Sequence, residues 1–355
     1  MSRHLLAEWA PQDGVLLTWP HAGSDWSDCL PEAERTYLEI ALAVSRYQRV
    51  VIVAYDTHHL ENLRDKLLRA GIPENRLVLS VAPSNDTWVR DYGPLAVEEN
   101  GATRLIDFRF NGWGGKYPHA LDDAVAEALF RQGLFAPAQW ISSPLVLEGG
   151  AVETDGRGTL LANLRCLLTA TRNANLDQSS LEAQMRELLG LERFLWLDLE
   201  PLEGDDTDGH IDTLARFCDP HTIAYLHCDD PADPQFDALR EIEVQLKRLQ
   251  TPDGAPYRLM ALPWPQPVYD ESGRRLPATY ANFLIINQAV LVPVYNDPAD
   301  ERAIATLARC FPDREIIAID CTVLVRQNGS LHCATLQLPC GTLLPPAAID
   351  KRLAL

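Results

Sequence analysis

The sequence predicts an α/β fold of about five modules in one closed unit, and three observations carry that prediction. Helical segments with one apolar face return at intervals of roughly 55–65 residues. Strand-like apolar runs fill the spaces between them. No linker or low-complexity stretch divides the 355 residues. A count of one domain per about 150 residues would suggest two or three. The recurrence argues instead for residues 1–355 as a single domain.

The elements follow in order. Residues 15–19 are a short apolar run that ends at Pro20. Residues 32–47 read as a helix and 50–54 as a buried strand. The next helix, 57–70, puts Leu60, Leu63 and Leu67 on one face, and Gly71 stops it. A strand at 77–81 precedes the polar segment Asn85 to Pro94. After a strand at 105–108, a helix at 119–133 gathers Leu121, Ala124, Val125, Ala128 and Leu129 on one side. Strands at 145–147 and 159–162 flank Glu148 to Gly158. A helix at 178–190, a strand at 194–197 and an acidic loop at 203–209 follow. The last third alternates strand 222–227, helix 234–250, strands 283–287 and 289–294, helix 298–311, and strands 315–319 and 322–326.

Composition narrows the class. The chain is 46% hydrophobic and 23% charged, ordinary for a globular protein. With 31 basic against 50 acidic residues the net charge is −19, the wrong sign for phosphate, so nucleic acid is not an expected partner. A negative field attracts cations, although it also serves solubility. No apolar run of about 18 residues predicts a membrane span, and the first residues lack the apolar stretch of a signal peptide. A cytoplasmic location is expected. The eight cysteines are then expected to be reduced. Cys218, His221, His227 and Cys228 have metal-like spacing, but 222–227 reads as a strand that would hold them apart, so no metal is expected.

Four polar segments carry the chemistry. Arg90-Asp91 precedes a Gly93-Pro94 turn. Glu148 ends a strand beside Gly149-Gly150. His210 and Asp212 stand two apart, which in an extended chain puts them on one face. His332-Cys333 follows Asn328-Gly329-Ser330. Successive gaps from Asp91 through Glu148 and His210 to Cys333 are 57, 62 and 123 residues, the last about two modules. One polar strand end per module, facing an axis, would bring them together. Each has a plainer reading: a salt-bridged turn, a glycine turn, a satisfied loop histidine, a packed thiol. Together they suit a cationic electrophile. A thiolate needs a base or cation nearby, which His210 offers, with Glu148 or Asp212 orienting its ring. Carboxylates beside a thiol oppose attack on a neutral amide, but they accept the N–H fork of a guanidinium. A papain-like arrangement is disfavoured, because there the cysteine precedes the histidine.

At these residues the chain resembles agmatine deiminases and the related bacterial peptidyl-arginine deiminases, in the guanidino-modifying (pentein) superfamily. The resemblance runs through Glu8-Trp9, Trp19-Pro20, Asn85-Asp86-x-Trp88-x-Arg90-Asp91-x-Gly93-Pro94 and Asn111-Gly112-Trp113-Gly114-Gly115-Lys116-Tyr117. It continues through Glu148-Gly149-Gly150, Asp155-Gly156-x-Gly158-Thr159, Gly209-His210-Ile211-Asp212, Arg216-Phe217, Tyr280-x-Asn282-Phe283 and His332-Cys333. It implies a five-bladed, pseudo-symmetric α/β propeller with an axial active site. It also implies hydrolysis of agmatine to N-carbamoylputrescine and ammonia without cofactor or metal. Carried over by motif, Cys333 is the nucleophile and His210 the general acid/base. Asp91 and Asp212 grip the guanidinium, and Glu148 orients His210 and contacts substrate. Trp88 and Trp113 are assigned to substrate binding, although a tryptophan more often packs in a core. The expected partner is a small cationic guanidino compound; an arginine-derived or peptidyl substrate, a non-catalytic cation-binding role and self-association stay open. Typical agmatine deiminases carry a longer glycine run before the cysteine and Gln-Gln after it. Here Ser330 and Leu336-Gln337-Leu338 stand there, and the far end of the substrate is to be read elsewhere, with residues 203–208 as candidates for a distal ammonium.

Overall fold

The computed structural model describes residues 3–136 and 140–344. Its strands form five sheets with one plan: a first strand pairs antiparallel with a second, and a third returns parallel to the second after a helix. β1 (Arg3–Leu5) is an added edge strand of the second module. The first module contains β2 (Gln12–Thr18), α1 (Leu30–Ser45), β3 (Arg49–Ala54), α2 (Thr57–Arg69) and β4 (Leu77–Val81). The second follows the short α3 (Val89–Tyr92) with β5 (Leu95–Glu99), β6 (Ala102–Arg109), the tight turn α4 (Gly112–Gly115), α5 (Asp122–Arg131) and β7 (Trp140–Val146). The third has β8 (Glu153–Thr154), β9 (Thr159–Asn163), α6 (Leu164–Leu167), α7 (Ala170–Asn173), α8 (Gln178–Leu189) and β10 (Arg193–Leu197). The fourth has β11 (Ala215–Asp219), β12 (Thr222–His227), α9 (Phe236–Leu246) and β13 (Arg258–Pro263). The fifth has β14 (Leu284–Ile286), β15 (Ala289–Val294), α10 (Asp300–Cys310) and β16 (Glu315–Asp320). Finally β17 (Leu336–Pro339) pairs antiparallel with β2, so the C-terminal part of the chain supplies the first strand of the first module.

Local chemistry sets these elements. The Asp56 carboxylate accepts the His59 N–H at 2.7 Å and starts α2; Asp177 does the same for α8 through Ser180 at 2.8 Å. Gly190 ends α8 in the left-handed region at φ +66°. The helices bury one face on their sheets: Leu63 and Leu67 from α2, Leu239, Ile242 and Leu246 from α9, Ala303 and Leu307 from α10. Each buried leucine stabilises by about 1.5–3 kcal/mol.

Three expectations change. Residues 322–326 are no strand: Leu324–Gln327 is a 3₁₀ turn, closed by Asn328 at φ +66°. Its apolar run reports burial, which a buried turn satisfies as well as a strand does. Leu121 lies before α5 and is 38% exposed, so it leaves the buried face. His210 and Asp212 are not on an extended chain, because Ile211–Thr213 is a 3₁₀ turn.

The segments leading into the five first strands touch one another in a closed ring. Gly150 N donates to Asp91 Oδ1 at 2.9 Å, joining the lead-ins of β8 and β5. His210, leading into β11, adjoins Asp91 at 3.6 Å. Asn282, before β14, donates to Asp212 Oδ2 at 3.2 Å. His332 N, before β17, donates to the Asn282 carbonyl at 3.1 Å, and Arg90 N donates to the Cys333 carbonyl at 3.2 Å. The centre of the molecule is thus built from one lead-in per module.

Candidate active site

All seven residues singled out in the sequence gather at this ring. Cys333 Sγ lies 3.8 Å from Asp212 Oδ2 and 3.4 Å from Asn282 Oδ1. His210 Nδ1 is 3.6 Å from Asp91 Oδ1, and its Nε2 is 4.0 Å from Glu148 Oε2. Trp113 Nε1 donates to Asp91 Oδ2 at 2.9 Å, and the left-handed backbone of Trp113, φ +54°, turns the ring inward. Trp88 packs on Gly329, where an added Cβ would come within 2.4 Å of the ring. Gly150 explains its own residue type. A Cβ there would sit 2.6 Å from His210 Nδ1, 2.8 Å from Asp91 Oδ1 and 3.1 Å from Asp212 Oδ2. Only a residue without a side chain lets three functional groups converge.

Two partnerships differ from expectation. Asp212 does not orient His210. Its Oδ2 meets His332 Nδ1 at 2.7 Å instead. Asp91 does not pair with Arg90, whose Nη1 donates to Gln337 Oε1 at 2.6 Å and whose Nη2 lies 3.6 Å from Glu8. Among the described hydrogen bonds none joins Cys333 directly to His210.

The electrostatics follow from burial and like charge. Burial pushes the Cys333 thiol well above its usual range, and Asp212 and Asp91 push it further. Burial raises the Asp91 carboxyl as well; His210 pulls it down while Asp212 and Glu148 push it up. For His210, burial opposes the charge, but Asp91, the Cys166 thiol and Glu148 outweigh it and raise the imidazole well above its usual value. Burial acts against the Asp212 charge too, and His332 outweighs it, so this carboxyl stays low. These directions favour a protonated imidazole, a neutral thiol and an ionised Asp212 in the free site. His210 Nε2 and Asp212 Oδ1 are among the buried atoms that lack hydrogen-bond partners. An unmet buried polar atom costs about 1–3 kcal/mol, and a ligand that meets it recovers that energy.

Cys333 and Asp91 open onto a pocket whose lining also includes Trp88, Trp113, Tyr117 and Asp206. Asp25 and Asp86 also line it, and its lining includes no Arg or Lys. Tyr117 donates its hydroxyl to Asp206 Oδ2 at 2.9 Å. Burial raises the Asp206 carboxyl to about 6, and it does the same for Asp86.

Several residues of the site had no assigned role in the sequence. Arg172 Nε bridges both Glu148 oxygens at 2.9 Å, fixing that carboxylate. Glu8, Glu153 and Arg216 form a buried ion-pair column. Arg216 meets Glu8 at 2.9 Å and Glu153 at 2.6 Å. Glu8, Arg216 and Asn282 stood within recognisable motifs; Arg172 stood in none, and no local pattern marks it. Among the described residues no three His, Cys, Asp or Glu side chains converge as a metal site, and no helix is long and apolar enough to cross a membrane.

Comparison with known proteins places this geometry. The description Porphyromonas-type peptidyl-arginine deiminase matches residues 4–339. A Vibrio parahaemolyticus protein named "Putative agmatine deiminase" is 34% identical over 352 residues, covering 94% of this chain and 96% of its own. The agmatine deiminase of C. jejuni, solved with substrate bound, superposes with a TM-score of 0.87 at 37% identity, covering 95% of this chain and 96% of that one. That of Enterococcus faecalis superposes with a TM-score of 0.86 at 28% identity, covering 96% of each chain. With five like modules ringing a shared centre, this chain belongs to the Porphyromonas-type peptidyl-arginine deiminase family and has the five-bladed α/β propeller fold of the penteins.

Proposed function

We propose that residues 1–355 act as one catalytic domain that hydrolyses agmatine to N-carbamoylputrescine and ammonia. One observation carries the choice of substrate: the pocket over Cys333 is lined by Asp25, Asp86, Asp91 and Asp206 and by no Arg or Lys. A guanidinium at its floor and an ammonium at its mouth suit such a lining; the α-carboxylate of free arginine does not.

The chemistry follows from the protonation states. The arriving cation offers N–H groups to Asp91 and to the unpartnered Asp212 Oδ1. Its charge offsets the two carboxylates that oppose ionisation of Cys333. The thiol loses its proton to solvent, and the thiolate attacks the guanidinium carbon, forming the C–S bond. His210 gives its proton to one terminal nitrogen, the C–N bond breaks, and ammonia leaves a thiouronium. Neutral His210 then takes a proton from water as the oxygen attacks. The C–S bond breaks, the ureido product departs and the thiol is restored. Glu148, locked by Arg172, stands 4.0 Å from His210 Nε2.

Incubating the purified protein with agmatine, free arginine and an arginyl peptide, and measuring ammonia, tests this. Release from agmatine well above the other two is expected. Release from arginine or the peptide alone would move the function to that substrate.

A further inference from the structure

His332 is bonded to Cys333 in the chain, yet the two side chains serve opposite sides. Cys333 lines the acidic pocket, whereas His332 lines a separate cavity with Glu8, Arg90, Glu153 and Gln337. The ring is 2% exposed and stands between two carboxylates. Its Nδ1 is 2.7 Å from Asp212 Oδ2, and its Nε2 is 2.7 Å from Glu8 Oε2. The outer carboxylate is already an acceptor. Glu8 Oε1 takes the Ile285 N–H at 2.6 Å and Oε2 takes Arg216 Nη2 at 2.9 Å. The inner one accepts from Asn282 at 3.2 Å. A histidine facing two acceptors donates from both nitrogens, which is the imidazolium form. Burial pushes the Glu8 carboxyl up, but Arg216 and His332 hold it far below the usual range, in keeping with an ionised acceptor.

We propose that His332 is a positioning residue for the nucleophile, a fixed imidazolium that neutralises Asp212 beside the thiol so that Cys333 can ionise when a cation arrives. The proposal rests on Cys333 being the nucleophile proposed above, and not on which guanidine is turned over. Among the described residues His332 is the one cation in hydrogen-bond contact with Asp212. Without it the Asp212 charge beside the thiol would keep only the neutral Asn282 donor. The other titratable groups that sense Cys333 are Tyr37 and Tyr295. Around His332 they are Glu8, Asp212 and Glu153, with Arg216 and Arg90 joined to the same network.

The test reads the thiol without turnover. Alkylation of Cys333 by iodoacetamide is followed against pH by mass spectrometry of its peptide, with Cys333→Ser as the blank. His332→Gln keeps an amide donor but no charge. It is expected to slow alkylation at neutral pH about tenfold and to move the profile to higher pH. Adding Asp212→Asn removes the charge that His332 neutralises. The double variant is then expected to match Asp212→Asn alone within about threefold. An unshifted profile in His332→Gln, or a double variant that keeps its full shift, overturns the proposal. Should the variants not fold, the ¹⁵N spectrum of the wild-type ring decides. Protons on both ring nitrogens are expected, as the two carboxylates facing them require, and a neutral tautomer overturns it. Absent ammonia release with an intact alkylation shift would instead refute the deiminase reading and leave this one standing.

Discussion

The two faces of the central ring use charge in opposite ways. On the side of Glu8 the charges are joined in ion pairs, and of their buried polar atoms Arg90 Nη2 is left without a hydrogen bond, 3.6 Å from Glu8. Arg216 reaches Glu8, Glu153 and the Phe283 carbonyl, Arg90 reaches Gln337, and Glu153 accepts the Phe217 N–H. Apart from Glu8, which precedes β2, these residues come from the first strands of different modules or their lead-ins, so the column fastens the modules to one another. On the side of Cys333, charges crowd without full pairing: Asp212 Oδ1 and His210 Nε2 are unmet, and the pocket lining is acidic. Paired buried charges hold a shape, whereas unmet ones hold a place for a ligand.

That contrast can be broken or sharpened by experiment. Cys333→Ser is expected to lower kcat by about 10⁴-fold or more while agmatine affinity by calorimetry stays within about threefold. Retention of most of the rate would remove Cys333 from the mechanism. On the paired face, Arg216→Met leaves Glu8 and Glu153 buried without their cation. It is expected to cost about 3–5 kcal/mol in denaturant unfolding. A loss below about 1 kcal/mol would mean that the column does not fasten the modules. Asp91→Asn removes one carboxylate from the proposed guanidinium grip, and kcat/KM for agmatine should fall about 100-fold, near 3 kcal/mol. A threefold effect would argue against that role. Asp206→Asn should raise KM for agmatine about tenfold with little change in kcat, and leave unchanged the KM of a guanidine that lacks the distal amine. Equal effects on both substrates would take Asp206 away from the distal ammonium.

The smallest effect is one of pH. Asp206 and Asp86 have carboxyls raised to about 6, so they are protonated below that pH and charged above it. A bound ammonium favours the charged form. KM for agmatine should therefore fall as pH rises from 5 to 7, and a flat profile would exclude these carboxylates from binding.

The sequence revealed the repeating plan more readily than the strands nearest the centre. Segments such as 50–54, 77–81 and 222–227 are apolar runs, and they appear in β3, β4 and β12 nearly as read. The first strands β5, β11 and β17 escaped. They are short and include Glu99, Arg216, Asp219 and Gln337, so no run of apolar residues marks them. Arg216 is fully buried all the same, because its partners Glu8 and Glu153 lie 208 and 63 residues away. Pairing over such distances leaves no local trace. The site residues were legible for the opposite reason: Gly150, His210 and Cys333 lie in compact motifs whose spacing follows the module length. Their partners were not, since Asp212 bonding to His332 depends on where two turns meet.

The pairing of β17 with β2 has a consequence for the order in which the enzyme comes into being. β2 is made first and waits for its antiparallel partner until more than 300 further residues have been joined. Cys333 lies three residues before that last described strand, and Arg90 and Asn282 can hold it only once the chain has come full circle. A nascent chain exposes carboxylates and histidines but no assembled thiol site. Activity is therefore a property of the closed ring, gained at its final joint, and closing so long a loop is the slow step to look for in refolding.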